Sequence, residues 1–148
     1  MKINENILLQ LCNAAITAGN RVLDFYELDT EIIYKKDESP LTKADLDSNK
    51  ILLSSIAKIT PNVPILSEEG FIAWDIRKNW KKYWLIDPLD GTKEFIKKNG
   101  EFTINIALIE YNLPVLGIIY APALGCIFFS KKNSGSYKIY TKSNLDTF

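Results

Sequence analysis

Histidine is missing from all 148 residues. Without an imidazole there is no Ser-His-Asp or Cys-His nucleophile system, no His-ligated zinc and no imidazole general base. Chemistry is left to carboxylates, hydroxyls, lysines and the backbone. Cysteine is scarce, and Cys12 and Cys126 match no metal or redox spacing. Each lies in an apolar stretch and reads as a buried, reduced thiol, which points to a reducing compartment. Net charge is lacking as well: 18 Lys plus Arg balance 18 Asp plus Glu. That removes the electrostatic footprint of a protein for polymeric nucleic acid. The main apolar run, Val115 to Phe129, is shorter than the roughly 20 residues that span a bilayer and contains Pro122 and two glycines, so no transmembrane segment is expected. The first residues, MKINENILLQLC, lack the layout of a cleavable signal. These absences together predict a cytoplasmic protein.

What is present is 47% hydrophobic, 24% charged and 11% aromatic, the composition of one globular domain with a real core. Apolar residues at Ile7, Leu8, Leu11, Ala14, Ala15, Ala18, Val22 and Phe25 predict an amphipathic helix over 5–26. Residues 31–36 read as a short strand, and Lys36 to Pro40 as a turn. A second helix starts near Thr42, shows an apolar face of Leu46, Ile51, Leu52, Ile56 and Ile59, and ends at Pro61. Buried strands follow at 63–66 and 83–86, joined by a polar, aromatic-punctuated connection over 70–82. The remainder reads as strands at 102–110, 115–120, 127–130 and 136–140, divided by Asn112-Leu113-Pro114, by 121–125 and by 131–135. Helix, strand, helix and then mostly strands predict an α/β (α+β) layered domain, with helices on a mixed sheet.

Two strand ends carry acids. Ile65-Leu66 delivers Ser67-Glu68-Glu69, and Trp84-Leu85-Ile86 delivers Asp87 and Asp90 across a turn set by Pro88 and Gly91. If these strands are parallel neighbours, Glu68, Asp87 and Asp90 converge at one edge of the sheet, where α/β sheets bind ligands. Three crowded carboxylates call for cations, and oxygen ligands without His or Cys select Mg²⁺, Mn²⁺ or Ca²⁺. Gly91-Thr92 at a helix start would present backbone N–H groups to a phosphate. Metal beside phosphate suggests metal-assisted phosphoester hydrolysis, with Thr92 and Glu68 orienting a water. Singly, each residue has a plainer reading: Asp87 and Asp90 as turn residues, Glu68-Glu69 as a solvated loop, and Asp45, three after Thr42, as the acid of a capping box. The lysine pairs read as surface, and Trp74, Trp80 and Trp84 as packing.

The combined string Trp84-Leu85-Ile86-Asp87-Pro88-Leu89-Asp90-Gly91-Thr92-Lys93-Glu94-Phe95, with Ser67-Glu68-Glu69 upstream, resembles the signature of the lithium-sensitive, magnesium-dependent phosphatases related to inositol monophosphatase. Within them the continuation from Ile96 to Ile109 is most similar to the 3′(2′),5′-bisphosphate nucleotidases of the CysQ type. The likeness extends over essentially the whole chain, including Asp37 to Asp45 and Gly117 to Pro122. It implies the N-terminal half of a layered αβαβα fold. It implies that Glu68, Asp87 and the Leu89 carbonyl hold one Mg²⁺, that Asp87 and Asp90 hold a second, and that two or three ions bind in all. Gly91 and Thr92 would bind the phosphate alongside Glu68, Leu89 and Asp90, with Thr92 and Glu68 activating the water and Asp45 supporting the metal-bound water shell.

The implied reaction converts adenosine 3′,5′-bisphosphate to AMP, clearing a by-product of sulfate activation. The alternatives are an inositol monophosphatase, or a non-catalytic remnant or half of a split enzyme. Relatives carry a second domain with a further metal-binding Asp. Residues 1–148 are therefore expected to be the N-terminal metal-binding domain with the C-terminal domain absent, completed by a homo-oligomer or by a separately encoded C-terminal half. The expected partner is a small nucleotide bisphosphate, in the cytoplasm or peripherally on the inner face of the cell membrane.

Overall fold

Asn4 starts the first helix: its side-chain oxygen accepts the backbone N–H of Ile7 at 2.9 Å, and Glu5 follows in the first turn where a negative charge is favoured. The helix, α1, then runs over Glu5–Tyr26, the span that its apolar spacing predicts. The computed structural model describes residues 3–28, 32–34 and 40–141.

Two short antiparallel strands follow, β1 (Ile32–Tyr34) and β2 (Pro40–Thr42). The outer residues of the predicted 31–36 strand, and 36–39 of the predicted turn, lie outside the described residues. Pro40 opens a strand rather than closing the turn, and a first-strand position tolerates its missing N–H. The second helix, α2 (Lys43–Ile59), begins directly after β2 and stops at Thr60 ahead of Pro61. Its buried residues are Ala44, Asp45, Ser48, Leu52 and Ile56. Leu46, Ile51 and Ile59 of the predicted face are only half-buried, because the polar Asp45 and Ser48 take up positions toward the sheet.

The main sheet contains β3 (Ile65–Ser67), β4 (Lys82–Asp90), β5 (Thr103–Glu110), β6 (Leu113–Ala121), β7 (Cys126–Lys131) and β8 (Gly135–Tyr140), side by side in chain order. Only β3 and β4 are parallel; the other pairs are antiparallel, so the sheet is mixed, as the sequence predicts. Between β3 and β4 the polar connection contains a four-residue helix, α3 (Trp74–Arg77), and α4 (Thr92–Ile96) follows β4. Residues 122–124 form a 3-10 turn. The β5–β6 turn falls on Tyr111 and Asn112, both left-handed at φ 50° and 64°. Two such residues make the hairpin turn that matches strand twist, so Leu113 and Pro114 belong to β6 rather than to the predicted divider.

Helices α1 and α2 cover one face of this sheet, joined to each other by Arg21 donating to Asp47 at 2.9 Å. The core between them contains Leu11, Val22, Leu52 and Ile56 from the helices and Trp84, Ile86, Ile106, Leu108, Ile118 and Tyr120 from the strands. Of the tryptophans, Trp84 is fully buried and donates its indole N–H to Thr60, whereas Trp74 is largely exposed beneath the Arg77 guanidinium. Cys12 and Cys126 are buried and free, and burial pushes the Cys12 thiol up to about 11. No helix among the described residues is long and apolar enough to cross a membrane.

Helix α1 packs tightly against the end of β6 at Gly19. A Cβ there would lie 2.4 Å from the Tyr120 ring and 2.8 Å from Pro122 Cγ. Gly19→Ala therefore forces the helix off the sheet, and we expect a net destabilisation of about 1–3 kcal/mol despite alanine's better helix propensity. A urea titration checks it; a midpoint equal to or above the wild type would show that the close approach is not tight.

Candidate active site at the ends of two parallel strands

Parallel pairing of β3 with β4 sets Ser67 opposite Ile86, and the Glu68 N–H continues the ladder to the Ile86 carbonyl at 3.1 Å. Glu68 thereby emerges beside Asp87. Asp87 and Asp90 are three residues apart, and strict strand alternation would send them to opposite faces. On β5, however, their partners are Asn105 and Thr103, two residues apart and on one face. Strand β4 thus contains one extra residue between them, a bulge that returns Asp90 to the face of Asp87. The predicted turn over 87–91 is in fact the continuation of the strand through this bulge, closed by Gly91. The Leu89 N–H donates to Asp87 Oδ1 at 3.2 Å across it.

Gly91 is required twice over. Its φ is +93°, in the left-handed region, and a Cβ would meet the Glu101 carbonyl oxygen at 2.8 Å. It is the N-cap of α4, so Thr92 begins a helix as expected.

Helix α2 holds this arrangement from beneath. Asp45 accepts the Thr42 backbone N–H at 2.8 Å and the Thr42 hydroxyl on Oδ2, the capping-box role that its spacing predicts. Its other oxygen, Oδ1, accepts the Thr92 hydroxyl at 3.0 Å, and the Leu89 carbonyl oxygen lies 3.2 Å from the same hydroxyl. One turn on, Ser48 donates to the Pro88 carbonyl at 2.6 Å, and Asn49 accepts the Ser67 hydroxyl at 2.7 Å. Positions 45, 48 and 49 share one helical face. They tie α2 to the start of α4, to the bulge and to the end of β3. Sequence reasoning found Asp45 and missed Ser48 and Asn49; their signal was a polar break in an otherwise apolar stripe. It also missed Asn105, which donates to Asp90 Oδ2 at 3.0 Å and accepts the Thr103 hydroxyl at 3.1 Å.

The acids are crowded. Burial pushes the Asp87 carboxyl up to about 7, helped by its hydrogen bond with Glu68 and by the charges of Glu68 and Asp90. That is the electrostatic mark of a site short of positive charge. Among the described residues, no group of three or more Asp, Glu, His or Cys side chains closes into a ready-made metal cage. The acids neighbour one another in pairs instead, Glu68 hydrogen-bonded to Asp87 and Asp90 close enough for its charge to act on Asp87. Such all-oxygen sets suit Mg²⁺, which keeps several waters and takes one or two carboxylates.

Comparison with known proteins gives a family. Residues 3–145 match the model of the inositol monophosphatase family. Over 126 residues the chain is 48% identical to the 3′(2′),5′-bisphosphate nucleotidase CysQ of Salmonella typhimurium, covering 84% of this chain and 51% of that protein. The crystal structure of CysQ from Bacteroides thetaiotaomicron superimposes with a TM-score of 0.77 at 40% identity, over 91% of this chain and 49% of that one. An IMPase/NADP phosphatase solved with Mg²⁺ and phosphate shares the fold, with a TM-score of 0.71 at 20% identity over 82% and 46% of the two chains. The chain spans about half the length of the curated relatives it matches.

Because the Asp87 carboxyl is raised in the fold, the native state prefers it protonated; its burial becomes a penalty as pH climbs from the unfolded carboxyl range through about 7. In buffer containing a chelator, Asp87→Asn should raise the thermal midpoint over wild type more at pH 8 than at pH 5. Thermal melts at both pH values check this, and an equal difference would mean that Asp87 is not crowded.

Proposed function

The chain belongs to the inositol monophosphatase family, and from that premise we propose that its acid cluster is the metal-binding part of a Mg²⁺-dependent phosphatase site. The observation that carries this is the bulge, which aims Asp87 and Asp90 to one side beside Glu68, with Thr92 bonded to Asp45 at the next helix start. The substrate we assign is adenosine 3′,5′-bisphosphate, which loses its 3′-phosphate to give AMP, clearing a by-product of sulfate activation. CysQ of Salmonella typhimurium and of Escherichia coli, at 48% and 44% identity, support that choice.

In this reading Glu68, Asp87 and the Leu89 carbonyl hold one ion, and Asp87 with Asp90 a second. Bound Mg²⁺ supplies charge to the phosphate and the leaving oxygen and makes a nearby water more acidic. The chain's own groups do the rest. Thr92 directs its hydroxyl proton toward Asp45, leaving an oxygen lone pair to accept a hydrogen bond from the attacking water. Glu68 takes the second position on that water. Gly91 and Thr92 direct backbone N–H groups at the phosphate, as a helix start does. Water oxygen bonds to phosphorus as the bond from phosphorus to the 3′-oxygen breaks; the attacking water's proton passes to Thr92 as the Thr92 proton passes to Asp45, and the 3′-oxygen takes up a proton from solvent.

Residues 1–148 serve as the N-terminal metal-binding domain in this reading. The part of the relatives that this chain does not span is the source of the nucleoside pocket and of a further ligand. We place the protein in the cytoplasm, which suits its two free buried thiols.

The test is phosphate release from adenosine 3′,5′-bisphosphate by the purified chain, with inositol monophosphate in parallel. Turnover should require Mg²⁺, favour the nucleotide, and fall by about 10²-fold in Asp90→Asn. Metal-independent turnover, or turnover that Asp90→Asn leaves intact, would sink the site assignment. Preference for the inositol ester would move the substrate, and a folded sample without turnover would end the claim of activity for this chain alone.

A further inference from the structure

Asp90 is exposed at the end of β4, next to a bulge and a left-handed glycine. A carboxylate in such a place has several rotamers open to it, and a ligand must hold one. Asn105 supplies the restraint. It lies on the neighbouring strand, opposite Asp87 in register, and its amide nitrogen donates to Asp90 Oδ2 at 3.0 Å. A carboxamide can present either end, so something must fix which. The Asp90 carboxylate only accepts and so draws the NH₂ end, while the Thr103 hydroxyl, two residues away on the same face, donates to the Asn105 oxygen at 3.1 Å and holds the amide at its other end.

The chemistry of the donor matters. A lysine at this point would orient Asp90 but would also neutralise it and compete with a cation. An amide orients without cancelling charge, engages one carboxylate oxygen, and leaves the other for a ligand. None of the three side chains belongs to the buried core, so the relay contributes little to holding the sheet together.

We propose that Asn105, fixed by Thr103, is a positioning residue that sets the Asp90 carboxylate for cation binding. This rests on the metal-site reading above. Partners that orient a ligating carboxylate typically change metal affinity by about 10–100-fold when removed.

The test is Mn²⁺ affinity of the full chain, read from the free-ion signal in electron paramagnetic resonance, with metal-free thermal midpoints alongside. Asn105→Leu should weaken Mn²⁺ binding by about tenfold and leave the metal-free midpoint close to wild type. Thr103→Val, which keeps a β-branched side chain in the strand, should weaken it less, and it carries the test if leucine disturbs the strand. Because Asn105 acts through Asp90, the pair Asp90→Asn with Asn105→Leu should bind no more weakly than Asp90→Asn alone. A merely structural residue would lower the metal-free midpoint and add to the Asp90 effect. Wild-type affinity in both Asn105→Leu and Thr103→Val, while Asp90→Asn binds poorly, would overturn the inference alone. Failure of the wild type to bind Mn²⁺ would overturn the metal-site reading and the inference with it.

Discussion

One extra residue in β4 organises everything around it. Without the bulge between Asp87 and Asp90, the pleat would send one acid into the helices and the other away from them, and no pair would form. With it, the strand keeps its pairing to β5 on both sides of the defect while two acids three apart share a face. Pro88 and Leu89 lie inside the defect, between the paired Asp87 and Asp90. The Ser48 hydroxyl donates to the Pro88 carbonyl, so the irregular backbone is held there by a side chain. Gly91 then closes the strand in a conformation that other residues adopt only with strain.

The bulge in turn leans on α2. A helix packed on a sheet ordinarily turns an apolar stripe toward it, and this one places Asp45 and Ser48 in that stripe. Both are buried, and both are bonded: Asp45 to Thr42 and Thr92, Ser48 to Pro88. Buried polar groups are tolerated when fully paired, and then they specify one arrangement among the many that an apolar stripe allows. The helix is positioned against the site by directional bonds at three places along one face, and by oily contact through Leu52 and Ile56 elsewhere. Its register relative to β3 and β4 is thereby set to within a hydrogen bond.

Much of this could be read from the chain. Helix α1 is legible because its period and its Asn4 cap agree, and the capping role of Asp45 because a capping box is a local pattern. The convergence of Glu68, Asp87 and Asp90 follows from two strands that end in acids, once their parallel pairing is granted. What escaped is non-local or depends on one residue of register. The strand ending assigned to 86 in fact reaches 90, because Asp-Pro and Asp-Gly look like turn dipeptides whether or not a neighbouring strand pairs with them. Pro40, Leu113 and Pro114 moved from turns into strands for the same reason. Ser48, Asn49 and Asn105 were illegible as functional because their partners lie 15 to 40 residues away, on elements whose adjacency only the fold creates.

Asp45 divides its two oxygens between two tasks: Oδ2 closes the helix start and Oδ1 holds the Thr92 hydroxyl. A substitution there cannot alter one without the other. An engineer seeking a hardier variant would find this helix start closed to redesign, since any replacement that improved the cap by another geometry would release Thr92. Random drift meets the same barrier: at this position the start of one helix and the first residue of another depend on a single carboxylate.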